Sequence, residues 1–130
     1  MNKIILLMSV FITISCNSYD ENNSWIRINF LGYTPHSIKN AVFVSKKFDK
    51  IDSFEIFDFY SNNIVYSSDI VEEKGAYGPY NTTFRLNFSS LTSPGKYYIK
   101  VNNIKSDVFK IDVGVYDGTA DFLLKYMRQQ

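Results

Sequence analysis

Between Trp25 and Val113 apolar and polar residues alternate in short runs, with turn residues separating them. The stretch WIRINF sets Ile26, Ile28 and Phe30 on one side and Arg27 and Asn29 on the other, the period-two pattern of a strand with one buried face. LGYTPHS, with Gly32 and Pro35, is turn punctuation. NAVFVS is almost continuously apolar and predicts a central strand; FDKIDS predicts a polar loop. In FEIFDF, Phe54 and Ile56 share a face, and SNN predicts a tight turn ahead of the strand IVYSSDI. VEEKGAYGPYN is then the longest irregular segment, and TTFRLNF turns Phe84, Leu86 and Phe88 inward with Arg85 and Asn87 outward. KYYIKV and SDVFKIDV flank NNIK, whose Asn102 and Asn103 suit a hairpin turn. No internal repeat or low-complexity tract interrupts this order.

The period changes at the end of the chain. Tyr116, Ala120, Leu123, Leu124 and Met127 fall on one face of a 3.6-residue repeat, so a helix follows the strands. It runs to Arg128, Gln129 and Gln130 with no Gly, Asn or Pro to stop it.

About seven short strands separated by frequent turn signals predict an all-β fold, an immunoglobulin-like β-sandwich over 25–113. LTSPGKY sharpens this: Leu91, Pro94, Gly95 and Tyr97 have the spacing of a tyrosine corner, in which the Tyr97 phenol bonds a backbone group just upstream. Antibody-type paired cysteines are absent, so apolar packing must join the sheets. The aromatic content of 17% agrees with a β-rich globule, and 130 residues leave room for one ordinary domain.

The first residues read differently. Met1-Asn2-Lys3 is a short basic start, residues 4–14 are almost wholly apolar, and Ser15-Cys16 leads into a polar run ending at Ser24. This is the layout of a secretory signal peptide, too short to span a bilayer. Ile14-Ser15-Cys16 resembles a bacterial lipobox, which makes 1–15 a lipoprotein signal peptide, Cys16 the acylated residue and 16–24 a polar tether. The alternatives are a plain signal peptide with an incidental cysteine, or a short buried helix. Cys16 is the sole cysteine, which fits a thiol consumed by lipidation. Asp20-Glu21 resembles the surface-export signal of Bacteroidetes lipoproteins, so the expected location is the outer membrane, facing the cell exterior. Formal net charge is +1, with basic residues scattered singly, so nucleic acid is not an expected partner.

Chemistry is sparse. His36, the sole histidine, lies in a turn beside Pro35 with no acid nearby, which argues against a Ser-His-Asp or His-metal site. Gly75 and Gly78 open no helix and so form no phosphate loop. Glu72 and Glu73 would point to opposite faces of a strand, while Asp52, Glu55 and Asp58 bracket a strand as solvated edges. Asp107, Asp112 and Asp117 are spread over the last strand and linker, and none sits in the apolar neighbourhood that raises a pKa. No catalytic residue, cofactor or metal is expected. Sugars stack on aromatic faces, which makes Tyr77 and Tyr80 in the Gly-Pro loop, and Trp25 at the first strand, candidate glycan contacts. Loop tyrosines also serve loop packing or contacts to a neighbouring domain.

Three stretches together resemble one family. IRINFLGYTP is similar to the opening IRxNQLGYxP of the immunoglobulin-like domain that precedes the catalytic domain in glycoside hydrolase family 9, with Phe30 in place of Gln. NFSSLTSPGKYYIKV resembles that domain's DFSxLTxPGxYxLxV, with Asn87 in place of Asp. DFLLKYMRQQ resembles the first helix of the family's (α/α)6 barrel. The resemblance implies that 114–130 is a linker and first barrel helix. Leu123, Leu124 and Met127 would then form the catalytic-domain interface. It also implies that the catalytic aspartate pair and glutamic acid lie in the barrel, whose motifs do not occur here. The expected role is a non-catalytic module of a surface-anchored β-glucan-degrading enzyme, its partner being the catalytic domain of the same polypeptide. The alternative is a freestanding lipoprotein that binds β-glucan through its aromatics.

Overall fold

The computed structural model describes residues 23–129, so the signal-peptide and Cys16 expectations lie outside the described residues. The chain runs β1 (Ser24–Arg27), β2 (Asn40–Ser45), β3 (Phe54–Asp58), β4 (Ile64–Ser68), β5 (Val71–Glu73), β6 (Thr82–Asn87), β7 (Gly95–Val101), β8 (Ile104–Lys105), β9 (Phe109–Ile111) and α1 (Thr119–Arg128). One antiparallel sheet has the order β1-β2-β6-β5; the other has β4-β3-β7-β8, with β9 also pairing along β7.

Register decides which side chains meet. Ile26, Phe43 and Phe84 lie opposite one another across β1, β2 and β6 and face inward, meeting Phe54, Ile56, Ile99, Val101, Phe109 and Ile111 of the second sheet. The alternate residues form outward rows: Arg27–Val42–Arg85 and, one step along, Trp25–Val44–Thr83. Burying each large apolar side chain contributes about 1.5–3 kcal/mol, so this two-layer core is the main source of stability. Phe84, Leu86 and Phe88 all point into it, as their alternation predicts.

Three features depart from the sequence pattern. β1 ends at Arg27, and Phe30, expected inward, is 71% exposed. The cause is Asn29, whose side-chain oxygen accepts the Leu31 N–H at 3.1 Å while its backbone oxygen accepts the Gly32 N–H at 3.0 Å. That turn removes Phe30 from the ladder. Val71–Glu73, read as irregular, is a strand, because Val71 pairs with Leu86 over the core and Glu72 lies opposite Arg85. With β8, this brings the described residues to nine strands rather than seven.

The third is Lys39, wholly buried just ahead of β2. Its ammonium donates to the carbonyls of Pro35 at 2.5 Å, Ser37 at 2.9 Å and Thr34 at 3.4 Å. Three N–H donors thus meet three carbonyls, and the TPHS loop closes around a charge. Burial pushes the Lys39 pKa below its ordinary value.

Candidate functional site

The sandwich joins α1 through a short pinned linker. Tyr33 donates its N–H to Lys110 O at 2.9 Å and accepts the Asp112 N–H at 3.0 Å, tying the turn after β1 to β9. Beyond β9, Asp112 Oδ1 accepts the Gly114 N–H at 2.8 Å and Asp117 donates its N–H to Gly114 O at 3.0 Å. The Tyr116 hydroxyl then reaches back, donating to Gly32 O at 2.8 Å and accepting from Asn29 Nδ2 at 3.2 Å. Gly32 has φ 99°, and a Cβ there would overlap both Lys110 O and the Val115 side chain. Only glycine allows linker and turn to approach so closely.

α1 follows Gly118, which has φ 76° and supplies no side-chain cap. None of its residues is buried, and Phe122, Leu123, Leu124 and Met127 are exposed. Beside the turn that holds Tyr116, a cavity of about 390 Å³ is lined by Phe30, Phe59, Lys96, Val108, Phe109 and Lys110.

A second surface lies on the outer face of the first sheet. Tyr77 and Tyr80 exchange both backbone N–H···O bonds at 3.0 Å across Gly78-Pro79, with Gly78 at φ 55°. Directly opposed residues of a hairpin project to the same side. Both tyrosines border a groove of about 470 Å³ whose floor is Val42, Val44 and Ala76 and whose flank carries Arg27, Lys74 and Arg85. Trp25 meets the Tyr80 ring edge-on, centroids 5.9 Å apart at 69°, and the Lys46 ammonium lies 5.6 Å from the Trp25 ring centre. The structure therefore brings Trp25, Tyr77 and Tyr80 together, Tyr77 being the most open at 76% exposed. Sequence reasoning missed Arg27, Val42 and Val44. The available signal was NAVFVS, which is apolar on both faces although only one faces the core.

The remaining sequence-singled residues are dispersed. The Tyr97 hydroxyl donates to Ser93 O at 3.0 Å, four residues upstream. His36 is an exposed turn residue. Asp58 accepts the N–H groups of Ser61 at 2.8 Å and Tyr60 at 3.0 Å, and the Ser61 bond foremost holds its carboxyl below the ordinary range. Glu72 is held down mainly by its bond from Lys74, and Asp112 mainly by Lys110 at 2.8 Å. All three move opposite to the direction a general acid requires. Among the described residues no group of three or more His, Cys, Asp or Glu is placed to hold a metal ion. No described helix is long and apolar enough to cross a membrane.

Residues 21–106 match the family model for the cellulase N-terminal ig-like domain. A xyloglucan-specific endo-beta-1,4-glucanase of Bacteroides ovatus is 38% identical over 104 residues, covering 79% of this chain. The chain spans only 17% of that relative's length. A solved structure of a Bacteroides ovatus family 9 glycoside hydrolase superposes with TM-score 0.69 at 37% identity, over 81% of this chain and 18% of that one. A thermostable endoglucanase from Alicyclobacillus acidocaldarius shares the fold, with TM-score 0.64 at 19% identity, over 82% of this chain and 18% of that one. The match covers the N-terminal domain of such enzymes and not their catalytic domain. The chain belongs to the cellulase N-terminal immunoglobulin-like domains, the non-catalytic domains carried by family 9 endoglucanases.

Proposed function

We propose that the chain is the membrane-tethered front module of a family 9 enzyme acting on β-1,4-glucan, which buttresses and spaces the catalytic domain. The observation that carries this is α1. A helix with Phe122, Leu123, Leu124 and Met127 exposed and no residue buried needs an apolar partner. Its root is also fixed on the sandwich by the Tyr116 hydroxyl. A pinned root and an open apolar face suit transmission of orientation to a second domain. The Ile14-Ser15-Cys16 pattern supports a lipid anchor on the opposite side of the sandwich sequence.

One fusion tests both halves. The chain is placed ahead of the Bacteroides ovatus relative's catalytic domain, in place of that protein's own N-terminal domain. Its melting temperature, activity on soluble β-glucan and membrane fractionation are then measured. The fusion should melt above the isolated catalytic domain and lose that gain when Leu123, Leu124 and Met127 become Ser. It should leave the membrane fraction with Cys16→Ser. Equal melting of fused and isolated catalytic domain refutes the buttress, and unchanged fractionation of the Cys16 variant refutes the anchor.

A second reading, a β-glucan-binding sandwich, is favoured by one observation. Tyr77 and Tyr80 project to the same side over the floor of Val42 and Val44, with Trp25 against Tyr80.

A further inference from the structure

We infer that the outer groove binds a glycan chain bearing carboxylates, and that Arg27 reads the charge. This rests on the second reading above, in that the same groove is the sugar site, and it extends the ligand from neutral β-glucan to a chain carrying uronic acids. Three cations line the groove, and two of them are already engaged: Glu72 pairs with Lys74 and lies 3.3 Å from Arg85. Arg27 is exposed and has no ion-pair or hydrogen-bond partner for its side chain among the described residues. It lies on the far side of Val42 from Arg85, so two guanidinium groups flank one apolar strip.

That juxtaposition selects a ligand. A small free anion would use the cations but not the floor of Val42, Val44 and Ala76 or the Tyr77 ring. An apolar peptide would use the floor and leave Arg27 unanswered. A pyranose chain has apolar C–H faces for Val42, Ala76 and Tyr77, and a uronic acid on it offers the planar carboxylate that a guanidinium fork holds bidentately. The like-signed cations at the cleft also concentrate acidic ligands there.

The groove's surroundings indicate an extended ligand. A second cavity of about 380 Å³, lined by Trp25, Arg27, Asn103, Lys105 and Asp107 among others, shares Arg27 with the first. The two cavities share one lining residue, Arg27 of the edge strand β1. In the second cavity Lys105 is already turned to the Tyr98 ring, 3.7 Å from its centre, which leaves Arg27 as the open cation. Each cavity falls within the roughly 300–1,000 Å³ of small-ligand sites.

The test is calorimetric titration of the chain with three probes: a glucuronic-acid-substituted xylo-oligosaccharide, a neutral cello-oligosaccharide of equal length, and acetate. The acidic oligosaccharide should bind best. Arg27→Gln should weaken it by about ten- to a hundredfold, the range for loss of a charge-assisted bond, without altering neutral binding. Tyr77→Ala should weaken both oligosaccharides, and Lys50→Gln, outside the groove, neither. A urea melt of Arg27→Gln matching the parent chain shows that the fold is intact. Equal affinity for both oligosaccharides, unmoved by Arg27→Gln, overturns the acidic ligand while leaving the second reading standing. Binding of neither overturns both. Acetate competing as well as the acidic chain reduces the site to charge alone and overturns the glycan.

Discussion

Replacing Tyr33 with Phe isolates one hydroxyl at the joint between the sandwich and its linker. Tyr33 is 5% exposed, with its ring edge-on to Phe88 at 5.2 Å and Phe109 at 5.6 Å, contacts that Phe would keep. Its hydroxyl accepts the Asn29 N–H at 3.0 Å and donates to Asn40 O at 2.8 Å. Phe abolishes both bonds, and at about 1 kcal/mol each the loss is about 2 kcal/mol. For a domain of this size that corresponds to a fall of roughly 10 °C in Tm, read by calorimetry. The same variant has a pH signature. Burial, with Tyr116 assisting and the Asn29 bond opposing, raises the Tyr33 pKa above 10.0. The folded chain therefore holds this proton where the unfolded chain releases it. That share of stability is complete below about pH 10 and is lost as pH rises through the folded value, with a slope of up to about 1.4 kcal/mol per pH unit. Tyr97 is raised by burial in the same sense, while Lys39, pushed down by burial, works oppositely below its ordinary 10.5. Subtracting the Tyr33→Phe stability curve from that of the parent chain removes both. The difference between the two should shrink above pH 10. A fall in Tm under about 2 °C, or a difference that stays constant with pH, refutes the role given to this hydroxyl.

Two further perturbations test the joint. Gly32→Ala should cost at least about 2 kcal/mol, since it combines a strained positive φ with backbone overlap, and should speed hydrogen exchange over 112–117. A urea melt matching the parent chain would mean that turn and linker do not approach as described. Removing residues 118–130 should change Tm by under about 2 °C and reduce light scattering, because no residue of α1 is buried. Loss of cooperative unfolding in that truncation would place α1 in the sandwich's own core.

The features legible in the sequence are those that depend on neighbours in sequence. Period two placed Phe84, Leu86 and Phe88 because strand residues alternate whatever they pair with. The 3.6-residue period announced α1 because helix geometry is local, but Tyr116, read onto the same helical face, lies in the linker ahead of Thr119, where its hydroxyl turns back to Gly32. Phe30 was misplaced because one side-chain acceptor, Asn29 Oδ1, outcompeted the ladder. β5 was hidden because three residues with two glutamates carry no pattern, and only pairing with β6 makes them a strand. Lys39 was invisible because its burial depends on a loop closing over it.

The groove and the joint fail to show in sequence for a related reason. Arg27, Val42, Tyr77 and Arg85 come from four separated segments; register sets Arg27, Val42 and Arg85 in one row, and the loop after β5 brings Tyr77 to the same groove. The LGY stretch was legible as turn punctuation and by resemblance, but part of its physical cause lies far along the chain, in Lys110, Val115 and Tyr116. Tyr33 anchors β9 with its backbone and the turn with its hydroxyl. Gly32 admits Val115 at close range and offers its carbonyl to Tyr116. The absent Cβ at Gly32 serves both sides of the joint, since it would overlap Lys110 O of β9 as well as the Val115 side chain of the linker. A motif needed only for the sandwich core would require no carbonyl aimed at the Tyr116 hydroxyl, so this opening turn serves the connection to α1 as well as the fold that contains it.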